Sequence, residues 1–153
     1  MNHLNKFSLS LLLSLIIFLK ISYSDEILIE SEELIITNEP LTTTFIGNVY
    51  AFDNEIKLWS DKILILYTET ESQIDQIKCF GNSKLVRENQ EIISENITYF
   101  AIDKKIYAQG DITLTQDKNV MKGNELSVDL VKSTSIMNSS QNNKVTVKIN
   151  SNE

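Results

Sequence analysis

From Gly47 the chain reads GNVYAFDNEIKLWSD, and apolar residues alternate with polar ones until a short turn from Asp53 to Glu55 breaks the rhythm. A period of two marks strands with one buried face. The same pattern returns without a gap in GNSKLVRENQEIISE from Gly81 and in GDITLTQDKNVMKGN from Gly110. Each copy enters on a glycine pair, Gly47-Asn48, Gly81-Asn82 or Gly110-Asp111. Two positions after the glycine stand Val49, Ser83 and Ile112, and four positions after it Ala51, Leu85 and Leu114. Beyond the turn, Leu58, Ile92 and Met121 are apolar again, and a second polar pair follows: Ser60-Asp61, Ser94-Glu95 or Gly123-Asn124. Apolar positions then resume at Ile63, Ile65 and Tyr67, at Ile97, Tyr99 and Ala101, and at Leu126, Val128 and Leu130. The step from Leu58 to Ile63 is odd, so a strict period of two fails at the polar pair. A bend or bulge there restores the phase and turns a corner. Ser31-Glu32 followed by ELII matches the corner and return of the later copies, so a partial repeat precedes the three full ones.

These patterns predict strands over residues 45–52, 56–59, 62–67, 78–86, 91–93, 96–101, 105–114, 120–122 and 125–131. A last alternating strand runs through Val145, Val147 and Ile149. ILIESEELIIT near the start fits two short strands meeting at a corner. A unit of this size has one apolar side and cannot bury it alone, so successive units stack into an elongated all-β body of two facing sheets. Such a body has two open edges, at Ile27 and Ile29 and at Val145, Val147 and Ile149. Unpaired backbone there favours head-to-tail association with another copy or with a different protein.

Composition changes this picture in three ways. The first 24 residues, with Lys6 ahead of an apolar run and Ser22 and Ser24 before Asp25, read as a secretory signal peptide. That leaves residues 25–153 as a single domain; the competing reading is an uncleaved membrane anchor. The leader holds Lys6, Lys20 and no acidic residue, so the remaining 129 residues carry 12 basic and 21 acidic side chains and a net charge of -9. That balance disfavours nonspecific nucleic-acid binding. The single cysteine, Cys79, allows no internal disulfide and reads as a small buried hydrophobe. The single histidine, His3, lies in the leader, which leaves no imidazole for a hydrolytic relay or a metal cluster. No phosphate-binding glycine loop appears. The carboxylates sit in solvated turns, so neither an enzyme nor a cofactor or metal site is expected.

The repeated glycine-asparagine arm with its Ser-Asp or Ser-Glu return resembles the OstA-like family of Gram-negative lipopolysaccharide export, over roughly residues 27 to 131. The resemblance implies an elongated open β-jellyroll in the periplasm whose apolar interior carries lipopolysaccharide acyl chains. It also implies edge pairing with an inner-membrane export component, protein C of the system, and with the outer-membrane translocon, protein D. On this chain the groove residues are then Val49, Ala51, Leu58, Ile63, Ile65, Leu85, Ile92, Ile97, Tyr99, Ile112, Leu114, Met121, Leu126 and Val128. Ser83 departs from the pattern, being polar where the other copies are apolar. Two alternatives stand beside the carrier: a membrane-anchored component of the same system, and a structural β-solenoid whose interior is solid.

Overall fold

A computed structural model describes residues 27–52, 54–70, 73–140 and 143–150. The leader expected over residues 1–24, and Asp53 of the first turn, lie outside them. The described chain forms ten strands: β1 (Leu28–Glu30), β2 (Glu33–Asn38), β3 (Leu41–Phe52), β4 (Ile56–Tyr67), β5 (Ile74–Arg87), β6 (Gln90–Phe100), β7 (Lys105–Gln116), β8 (Asn119–Asp129), β9 (Thr134–Asn138) and β10 (Thr146–Lys148). All belong to one antiparallel sheet in which β3 to β8 pair in chain order, β1 and β2 both pair with β3, and β9 and β10 both pair with β8. The repeat and its strand content are as expected, but the short strands are not separate. Ile56–Trp59 and Lys62–Tyr67 are two ends of β4, and the same holds for the later copies. The two facing sheets are therefore two halves of one continuous sheet, folded along a line of corners.

The corner has a simple arithmetic. On β4, β6 and β8 the inward positions step by three residues, from Ser60 to Ile63, Ser94 to Ile97 and Gly123 to Leu126. On β3, β5 and β7 they step by four, from Phe45 to Val49, Cys79 to Ser83 and Ala108 to Ile112. The pairings Phe45 with Ile63 and Val49 with Ser60 are both kept, so the ladder must absorb one extra residue between them. The same shift recurs between Phe80 and Ser83 and between Gln109 and Ile112. The sequence places the corner correctly at Ser60-Asp61, but the extra residue lies across from it, on the glycine strand.

Each bulge explains its own residue types. Gly47, Gly81 and Gly110 have φ of 84°, 75° and 105°, a region that residues with a Cβ rarely occupy. At Gly81 a Cβ would run into the Asp61 carboxylate. Asn48 and Asn82 follow with φ of 44°, and asparagine tolerates that conformation better than most residues. Their side-chain amides also donate to the carboxylate at the opposite corner, Asn48 to Glu32 and Asn82 to Asp61. Glu32 thus does for β3 what Asp61 does for β5. The partial repeat is real: β1 and β2 are the two halves of one strand broken at Ser31-Glu32.

The last strand is broken in the same way into β10 and β9, which pair with opposite halves of β8. Here the sequence reading falls short. The expected strand through Val145, Val147 and Ile149 is ordered as a ladder only over Thr146–Lys148, and β9 was not expected at all. TSIMN carries a single inward apolar residue, Met137, which lies over Gly123. One apolar position cannot show a period.

A row of inward side chains runs along the corner: Val49, Ser60, Ser83, Ser94 and Ile112, all buried. Ser83, the departure from the repeat, is wholly buried and sits 3.1 Å from the Ser60 hydroxyl. Ser94 donates toward the Gln109 carbonyl at 2.7 Å. The hydroxyls take up carbonyls that the bulges leave out of register, which is how a polar row is tolerated inside an apolar wall. Replacing Gly81 by Ala should cost roughly 1–3 kcal/mol, from left-handed strain and the crowded Asp61. Ser94→Ala should cost about 1–2 kcal/mol, from the buried carbonyls it leaves unpaired. Urea unfolding monitored by circular dichroism reads both.

Candidate functional site

Alternation and the corner phase change together turn one side chain in two toward the inside of the fold. Of the fourteen expected groove residues, nine are buried: Val49, Ile63, Ile65, Leu85, Ile92, Ile97, Ile112, Leu114 and Leu126. The other five, Ala51, Leu58, Tyr99, Met121 and Val128, are half-buried and pack against them in the same cluster. The structure therefore brings all fourteen to one apolar interior.

That interior is not uniformly filled. An apolar cavity of about 140 Å³ opens between the halves of the sheet. Ala51, Ile56, Leu58 and Leu85 line it from the glycine-proximal half, and Ile77, Cys79, Ile97, Tyr99 and Ile106 from the other. Toward the corner the wall is solid, since Val49, Ile63, Ile97, Ile112 and Leu126 expose 2% or less. The lining residues Ile56, Ile77, Cys79 and Ile106 escaped the sequence reading of the groove. A signal for three of them was present: QIKCF before Gly81 and KIYAQ before Gly110 alternate as cleanly as the segments after the glycines. Ile56 stands two residues before Leu58 in the strand expected over 56–59, so alternation put it on the same face as well.

Cys79 is buried as expected, and burial pushes its thiol up to about 12 from 9.0. An uncharged thiol in this wall behaves as one more small apolar group. The outer face is different in kind. Tyr50 and Trp59 pair with ring centroids 5.2 Å apart, and the Lys84 ammonium stands 5.5 Å from the Trp59 ring. These aromatics pack outside the interior, as ordinary cross-strand partners. Among the described residues no group of three or more His, Cys, Asp or Glu could hold a metal ion.

The two ends expose apolar edge strands. Leu34, Ile35 and Ile36 of β2 are exposed, as are Val145, Val147 and Ile149 around β10. Of the expected edge residues at the start, Ile29 packs on the core opposite Ala51, while Ile27 is exposed and reaches the cavity lining. The interior therefore runs out to the first edge of the sheet.

Residues 28–134 match the family described as "LptA/(LptD N-terminal domain) LPS transport protein". The chain belongs to this family. The fold agrees with the crystal structure of LptH, the LptA homologous periplasmic component of the lipopolysaccharide transport device of Pseudomonas aeruginosa. The TM-score is 0.74 at 10% sequence identity, over 83% of this chain and 96% of that one. At that identity the likeness is one of fold: an open, all-β jellyroll. No curated protein sequence gives a significant match. The fold of LptH is thus matched although few aligned residues are identical.

A thiol held protonated inside an apolar wall should be inert. At pH 8 the native protein is expected not to react with Ellman's reagent, and to release one equivalent of thionitrobenzoate after unfolding in urea. Rapid labelling of the native state would place Cys79 on an accessible surface instead.

Proposed function

We propose that the protein is a non-enzymatic periplasmic carrier that shelters the acyl chains of lipopolysaccharide between the halves of its sheet, on the way from the inner to the outer membrane. The observation that carries this reading is an apolar cavity, open between two halves of one sheet, in a member of an LPS transport family. Each methylene moved from water into such a wall gains about 0.8 kcal/mol. A cavity of about 140 Å³ takes only part of one chain, so uptake requires the halves to splay. Backbone pairing runs along the sheet between neighbouring strands, whereas the halves meet through side chains. Splaying therefore exchanges side-chain contacts for acyl contacts and leaves the ladder in place.

The open edges supply the other half of the function. Edge β1/β2 would take a strand of the inner-membrane component, protein C, and edge β9/β10 a strand of the translocon, protein D, or each edge a further copy of this chain head to tail. Continuous edge pairing carries the apolar interior from one subunit into the next. The free energy for directed movement comes from a partner, and this chain supplies a passive track. A structural module with a solid core is the second reading, favoured by the tight wall along the corner.

Four outcomes are expected. Protein purified from its native compartment carries acyl chains extractable into chloroform and methanol, and its mature N-terminus by mass spectrometry is Asp25. A photo-crosslinker at Leu58 or Tyr99 captures lipopolysaccharide in cells. Ala51→Trp, which fills the cavity, lowers lipid uptake about tenfold or more while overpacking costs no more than roughly 1–3 kcal/mol of stability. Absence of extractable lipid together with no crosslink from either site would sink the carrier in favour of the solid module. For the ends, a crosslinker at Val147 is expected to capture β2 of a second copy or a partner strand at high protein concentration; a strict monomer with no captured product would remove edge pairing.

A further inference from the structure

The chain has one arginine, Arg87, and it stands where the apolar interior ends. It follows Ser83 and Leu85 at steps of two on β5 and so continues their inward face. Its cross-strand neighbours are Ile56, which lines the cavity, and Gln90. One row deeper the inner face is apolar throughout, from Leu58 and Leu85 to Ile92, Leu114 and Met121. At the strand tips the row reads Ile56, Arg87, Gln90, Gln116, Asn119. The change from apolar to polar is completed in that single row, and Arg87 is its cation.

Across the mouth, a pocket of about 230 Å³ lies between Arg87 and Gln90 on one half of the sheet and Leu130, Ser133 and Ser135 near the tips of the other. Arg87 is only partly satisfied there. Its Nη2 lies 3.2 Å from a Glu55 carboxylate whose side chain is 68% exposed, a pair that solvent weakens. Its Nε is shut off from solvent and has no hydrogen-bond partner among the described residues. Two carboxylates line the same pocket: Asp129, already engaged by the backbone N–H groups of Val131 and Lys132, and Glu88, next to Arg87 in the chain and one step off its inward face.

We infer that Arg87 is an anion-binding residue at the mouth of the cavity, taking a phosphate group of an amphiphile whose hydrocarbon lies inside. The inference rests on the acyl-chain reading and deepens it. A guanidinium offers a planar fork that matches phosphate oxygens, and its pairing with Glu55 is readily exchanged for a doubly charged ligand. On a domain of net charge -9, phosphate is repelled over most of the surface, so one cation at the lip decides where a head group stops. It thereby sets the depth to which the acyl chains enter. The phosphate could belong to a phosphorylated glycolipid or to a phospholipid.

A single arginine gives the 15N-labelled protein a single side-chain Nε–H resonance, which makes the site directly readable. Bis-phosphorylated lipid A is expected to shift that resonance, and lipid A stripped of phosphate to leave it in place while still being taken up. A parallel titration with dimyristoyl phosphatidic acid separates the sources: a shift with either lipid supports the site and identifies the class of head group. Arg87→Gln should weaken retention of the phosphorylated lipid by about tenfold, as expected for one charge-assisted contact, and leave the dephosphorylated lipid unaffected. Arg87→Lys should recover part of the loss. Equal uptake of both forms of lipid A by the unaltered protein, with the resonance unmoved by any of the three lipids, overturns the role of Arg87 and leaves the acyl reading standing. Uptake of none of the lipids removes both.

Discussion

The structure depends on one crowded contact, a glycine backbone pressed against the side chain of an acidic residue on the neighbouring strand. At Gly47, Gly81 and Gly110 any Cβ would run into Glu32, Asp61 or Glu95. Only a residue without a side chain lets the two strands approach while one of them carries an extra residue. That extra residue keeps the inward faces of both halves in phase and bends the sheet. Without it, alternation carried straight through the corner would turn the apolar set of one half out to solvent. The cavity, the solid wall behind it and the polar lip are all consequences of a bulge repeated at the same place on every second strand.

A polar row along the corner follows from the same contact. Bulged backbone leaves carbonyls without ladder partners, and in the middle of the sheet Ser60, Ser83 and Ser94 meet them. At the sides of the row the larger Val49 and Ile112 fill the corner instead. Ser83 therefore breaks the sequence repeat without breaking the structural one, because a hydroxyl facing the Ser60 hydroxyl is as well satisfied as a methyl facing a wall. Polarity on the inner face is concentrated in the closed spine and at the open lip, and the surface between them is mostly apolar.

Much of this was legible in the sequence. Three ungapped copies fixed the repeat, the odd step from Leu58 to Ile63 located the corner, and positions counted from each glycine found the fourteen interior residues. What counting from the glycine could not reach was the segment before it, which is why Ile77, Cys79 and Ile106 were overlooked as lining residues. Nor could it say which strand carries the bulge, since a phase change on β4 is equally consistent with an extra residue on either side. Positive φ at Asn48 and Asn82 settles that, and positive φ leaves no periodic trace. Arg87 stands in the polar stretch that follows Leu85 and Val86, where the apolar alternation gives out. Its inward direction emerges only once Leu85 and Ile56 are known to face the cavity.

The sheet separates two demands that usually conflict. On the proposed function, a carrier must open to admit cargo, and a link in a chain must hold its shape. Here the ladder hydrogen bonds run along the sheet from one strand to the next, and would meet the second demand at both edges. The first is met across the sheet, where the halves touch through apolar side chains that lose little by exchanging one another for methylenes. Movement of the halves apart bends the corner but breaks no ladder. Addition of a strand at either edge, as proposed, would lengthen the ladder and continue the interior past Ile27 without touching the corner. The glycine bulge would let the two proceed separately, because it bends the strand where the ladder register is already shifted.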